Sequence, residues 1–89
     1  MSLKDKVIHI IIPYAMGAKE FDEKKFELEM RQAVKYYLGR KQYAEIEEVL
    51  SQIDKNIDIS VENVEIRKKM HNVIRRLRNF AHLYRSLSR

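Results

Sequence analysis

The 89 residues make one small domain of 10.7 kDa, and 45% hydrophobic with 35% charged side chains suits a folded, helix-rich, soluble chain and excludes a disordered one. Two Gly and one Pro argue against many-stranded β folds, and the lack of Cys excludes disulfides, thiolate metal sites and a cysteine nucleophile, favouring a cytoplasmic setting. The net charge of +5 is lopsided: residues 1–59 hold ten Lys/Arg against eleven Asp/Glu, residues 60–89 eight against two, and such a one-ended surplus calls for an anionic partner.

In chain order, Val7-Ile8-His9-Ile10-Ile11-Ile12 comes first. It is rich in β-branched side chains, stops at Pro13 and is too short to span a bilayer. It predicts a short N-terminal β-strand, which needs a partner for its backbone groups. Ile57–Val61 is one candidate and the same strand in a second copy is another; packing as irregular or helical chain is the third option.

A first helix is predicted from Asp22 to Leu38, with Asp22 as N-cap and Gly39 as stop. Phe26, Met30, Ala33 and Tyr37 line one face, Val34 and Leu38 widen it, and Glu27 and Arg31 form an i,i+4 pair. A second helix, Arg40 to Ile53, turns Tyr43, Ile46, Val49, Leu50 and Ile53 inward. Residues 54–58 read as a polar connection, and Ser60 as the cap of a third helix from Val61 to Leu87.

In that third helix Ile66, Met70, Val73, Leu77, Phe80, Tyr84 and Leu87 step alternately by four and three, a heptad seam. Ile74, Ala81 and Leu83 broaden it beyond a two-stranded zipper, so bundle packing is expected. At 1.5 Å per residue the third helix spans roughly 40 Å and the first about 26 Å. The uncovered seam predicts an oligomer interface between copies of the chain.

Lys68, His71, Arg75, Arg78, His82, Arg85 and Arg89 step by three and four in the same way, taken as the face opposite the seam, with Asn72, Asn79 and Ser86 beside them. Every member of the row is basic or a histidine. Such a row neutralises phosphates, and Asn amides can read base edges. The outer side of any amphipathic helix is polar, but ordinary solvated faces mix both signs, and no acid follows Glu65.

Ile66–Arg78 resembles the recognition helix of bacterial sigma-factor region 4 and related helix-turn-helix regulators, and Tyr43–Leu50 is similar to the helix that precedes it in such motifs. That resemblance implies a small transcriptional regulator that binds DNA. The connection from Leu50 to Val61 is longer than the three- or four-residue turn of the motif, and Glu47 stands where a small residue is usual. Arg78-Asn79-Phe80-Ala81-His82-Leu83-Tyr84 resembles the Arg…His-x-Tyr motif of HEPN-type ribonucleases; the spacing fits when counted from Arg76, and Phe80 and Tyr84 belong to the seam.

His71 and His82 lie eleven residues apart and His9 is isolated, so no metal site is expected. Neither a Walker loop nor a Ser/His/Asp set occurs, so no cofactor and no catalysis are expected. The expectation is a mainly α, three-helix bundle with a long basic C-terminal helix and an N-terminal strand, completed by homo-oligomerisation. Its function is expected to be non-enzymatic binding of nucleic acid, DNA ahead of RNA. The alternative is a helical interaction or assembly module whose basic helix docks on an acidic protein surface.

Overall fold

A computed structural model describes residues 1–87, so Arg89 lies outside the described residues. Four helices follow one another: α1 (Leu3–Ala15), α2 (Glu23–Gly39), α3 (Tyr43–Ser60) and α4 (Val64–Leu87). The class is all-α. There is no strand among the described residues, and four helices stand where three were expected.

The expected N-terminal strand, Val7–Ile12, is the middle of α1. The run carries a helical period once Leu3 and Tyr14 are counted: Leu3, Val7, Ile11 and Tyr14 are buried, while His9 and Ile12 face outward. Ser2 caps the helix by accepting the Asp5 N–H at 3.2 Å. Pro13 falls near the C-terminal end, where its missing N–H removes only one helical bond, and Met16 closes the turn by donating to the Ile12 carbonyl at 2.9 Å. Burial of one face outweighs the β preference of the branched residues.

Asp22 caps α2 as expected, its Oδ1 accepting from the Lys24 and Lys25 amides at 3.0 and 3.2 Å. The helix ends at Gly39, yet the left-handed residue of the turn is Lys41, with φ of 59°. The second predicted helix is displaced: α3 begins at Tyr43 and runs through the expected polar connection to Ser60, because Ile57 continues the inward row from Ile53. Ile57–Val61 is therefore no partner strand. The start of α4 is held by Asn63 and not by Ser60, since Asn63 Oδ1 accepts the Ile66 N–H at 3.1 Å.

The helices alternate in direction. Tyr37 near the end of α2 donates to the Met1 carbonyl before α1, Glu47 in α3 meets Arg78 in α4, and Asp58 late in α3 meets Arg67 early in α4. α2 and α3 touch and form a middle pair; α1 lies against both on one side and α4 against both on the other. No Cα of α1 comes within 8 Å of one in α4. The result measures 41 × 24 × 21 Å.

The core is apolar, with no buried polar or charged residue among those described. Phe26 is fully buried beside Tyr14, edge to face at 5.6 Å between centroids, and Phe21 lies 5.5 Å away. Met70, Val73, Ile74, Leu77 and Ala81 of α4 close the core from the other side.

Candidate nucleic-acid interface

α4 is the site's scaffold. Its 24 residues span about 36 Å. It touches only α2 and α3, so its outer side faces solvent along its length.

At about 100° per residue, the row Lys68, His71, Arg75, Arg78, His82, Arg85 is centred roughly 110° from the Met70–Ala81 core line, on the flank of α4 beside α3 and not opposite the core. Half of the row accordingly meets acids. His71 lies between two carboxylates, Nδ1 2.5 Å from Asp54 and Nε2 2.7 Å from Asp58. Arg78 Nε donates to Glu47 at 3.1 Å, and His82 Nε2 lies 3.5 Å from the same carboxylate. Arg67 extends the seam of charges, 3.9 Å from Asp58 and donating to the Val61 carbonyl at 3.1 Å. On the opposite flank Arg76 Nε donates to Glu27 of α2 at 2.9 Å, and its Nη2 lies 3.4 Å from Glu23.

Four cations of α4 make no ion pair among the described residues: Lys68, Lys69, Arg75 and Arg85. Arg85 stands over the Tyr43 ring, 5.8 Å from its centroid. Beneath it the Tyr43 hydroxyl is buried without a hydrogen bond among the described residues. Arg75 bonds the Asn72 side chain at 3.0 Å, which orients the guanidinium along the outer face. Asn79 is exposed one heptad beyond Asn72. The structure thus divides the expected site. Lys68, Asn72, Arg75 and Asn79 share the outer face, Arg85 stands on the α3 flank over Tyr43, and His71, Arg78 and His82 belong to the α3–α4 ion-pair seam.

The acids of that seam were the part that sequence reasoning missed. Glu47, Asp54 and Asp58 are spaced by seven and four, a single helical face, but the face is hidden if residues 54–58 are taken as a connection. The resemblance to helix-turn-helix proteins does not extend to geometry. Only three residues join α3 and α4, as short as the turn of that motif and not the longer connection expected from Leu50 to Val61. The two helices, however, lie alongside from Asp58–Arg67 to Tyr43–Tyr84 and do not cross steeply as in the motif. Of the HEPN-like pair, Arg78 and His82 both engage Glu47, while Arg76 faces α2.

The expected interface seam divides too. Met70, Val73 and Leu77 are buried by the chain's own α2 and α3, and Ile66 is half-buried. Its C-terminal members stay outside: Phe80 is 40%, Tyr84 39% and Leu87 78% exposed, joined by Leu83. A helix α3 longer than expected reduces the length mismatch that called for another subunit, while α1 lies away from α4 and the C-terminal end of the row stays uncovered.

Burial opposes protonation of His71, but the bonds to Asp54 and Asp58 outweigh it, and the imidazole pKa is raised above its usual 6.5. The three groups do not converge on one point, because each ring nitrogen takes its own carboxylate, and no candidate metal cluster occurs among the described residues. A raised folded-state pKa makes the clamp's contribution to stability complete below about pH 6.5 and lost as pH rises through the folded value. Thermal unfolding should therefore show Tm falling as pH rises above about 6.5. His71→Gln should flatten that dependence; an unaltered slope in the variant would place the titration elsewhere. At the acid end, the Arg78 bond holds the Glu47 carboxyl below its usual range against the effect of burial, so its stabilisation is lost as pH falls through that lowered value.

No helix of the described residues is long and apolar enough to cross a membrane. Comparison with protein-family models, curated proteins and solved structures finds no match for this chain.

Proposed function

We propose that the chain is a non-enzymatic nucleic-acid-binding protein, with duplex DNA its first candidate, that lays the outer face of α4 against the phosphate backbone. The observation that supports this most is the position of α4 on the outside of the bundle, carrying Lys68, Lys69, Arg75 and Arg85 without acidic partners among the described residues. Glu23, Glu27, Glu47, Asp54 and Asp58 of α2 and α3 are engaged by Arg67, His71, Arg76 and Arg78, and none of Lys68, Lys69, Arg75 and Arg85 takes part in an ion pair among the described residues. Asn72 and Asn79, between and beyond the outer-face cations, supply amides able to meet base edges.

The test is a gel-shift titration on duplex DNA and single-stranded RNA at two salt concentrations, with Lys68→Glu/Arg75→Glu as the variant. Both side chains are exposed, so the fold should survive. Affinity should fall with salt at a log–log slope of about −2 on duplex, the value for the two phosphates that Lys68 and Arg75 would neutralise, steeper where the flanking Lys69 or Arg85 also reaches the backbone. The double variant should lose at least tenfold. An acidic protein face would be held by the same cations. Failure to bind either naked nucleic acid at low salt would overturn the proposal and leave that second reading.

A further inference from the structure

Beside α4, on its other flank, lies an apolar groove that nucleic-acid binding does not use. It has a volume of roughly 360 Å³ and lies between α2 and α4, with Val34, Leu38, Leu77, Phe80 and Tyr84 as its apolar lining. The remaining lining residues are Arg31, Lys35 and Gly39, so no acid faces it. The Arg31 guanidinium stands over the Phe80 ring at 5.4 Å and is held from behind by Glu27 at 3.2 Å. Lys35 is exposed and has no ion pair among the described residues. Leu83 and Leu87, 59% and 78% exposed, continue the apolar surface along α4.

We infer that this groove docks one amphipathic helix of a partner protein, with Leu-like anchors on its inner face and Asp or Glu along the edge beside Arg31 and Lys35. The groove runs from Arg31 to Gly39 on α2 and from Leu77 to Tyr84 on α4, about two helical turns on each. That length matches anchors at i, i+3 or i+4, and i+7 of a guest helix. The charge of the occupant follows from the lining, whose charged members are both cations, Lys35 without an ion pair among the described residues and Arg31 shared with Glu27. A two-fold pairing with a second copy would face one groove with another whose lining offers no carboxylate in return, and like charges oppose it. The groove and the outer face of α4 carry different side chains, so the docking stands or falls independently of nucleic-acid binding.

The experiment uses the full chain and a fluorescent 14-residue amphipathic peptide with Leu anchors at the stated spacing and Glu on both flanks, read by anisotropy. A second peptide replaces each Glu by Lys. Micromolar binding of the Glu peptide, at least tenfold tighter than the Lys peptide, is the expected result. Lys35→Glu with Arg31→Glu should reverse the preference, and Phe80→Ala should weaken the Glu peptide at least fivefold while helix content stays unchanged. Lys68→Glu/Arg75→Glu should leave peptide binding intact, which separates this site from the phosphate-binding face. Equal binding of the two peptides, or none, would overturn the proposal. So would sedimentation showing a dimer that Phe80→Ala dissociates, since the groove would then hold a second copy.

Discussion

Phe26→Ala should lower the unfolding free energy by about 3–5 kcal/mol, among the larger single losses available to this fold. The side chain is fully buried at the start of α2, between Tyr14 of α1 and Phe21 of the preceding turn. Truncation removes an edge-to-face contact as well as apolar burial, and rigid aromatic neighbours collapse poorly into the space left. For a domain of this size the loss corresponds to a Tm lower by roughly 15 °C or more. Thermal or urea unfolding followed by circular dichroism would measure it. A change below about 1 kcal/mol would mean that the aromatic cluster is not a fixed part of the core.

Two positions three residues apart on α4 should behave very differently. Leu77 is 2% exposed and closes the core between α2 and α3, so Leu77→Ala should cost about 2–5 kcal/mol. Phe80 is 40% exposed, and Phe80→Ala should cost no more than about 2 kcal/mol, because much of the ring remains in water in the folded state. Both belong to one heptad row in the sequence. Equal losses, measured by urea unfolding, would mean that Phe80 is covered in solution by something outside the chain.

How far the fold can be read from the sequence depends on where burial and local preference agree. α2 was legible: Asp22 caps it, Gly39 ends it, and Phe26, Met30, Ala33, Val34, Tyr37 and Leu38 are all buried. In α1 they disagree. Five β-branched residues favour extended chain locally, and only the docking of Leu3, Val7, Ile11 and Tyr14 on the α2–α3 pair makes the helix the better state. The polar stretch at 54–58 likewise hides a helix, since Asp54 and Asp58 gain His71 as a partner only after α4 has folded back.

The candidate site shows the same division. Periodicity placed Lys68, Arg75, Asn72 and Asn79 together on α4, and the structure leaves them together on its outer side. It could not tell that His71, Arg78 and His82 meet carboxylates, because that depends on how α4 is rotated about its own axis against α3. A step of three and four specifies a stripe, but not which neighbour the stripe meets. Where Phe80, Tyr84 and Leu87 end up has the same origin: α2 and α3 bury the heptad row as far as Leu77 and leave its remainder at the surface.

The separation of α1 from α4 bears on how the molecule opens. Any fluctuation that lifts α1 exposes only the side of α2 and α3 that it covers, while Arg76 on Glu27 and Arg78 on Glu47 continue to fasten α4 from the other side. Sub-global opening can thus begin at the N-terminal helix without disturbing the outer surface of the C-terminal one. Opening of α2 or α3 has no such refuge, because each supports both outer helices. Amide protons of the middle pair are therefore the natural reporters of global unfolding, and those of α1 of a shallower excursion that leaves the α4 surface in place.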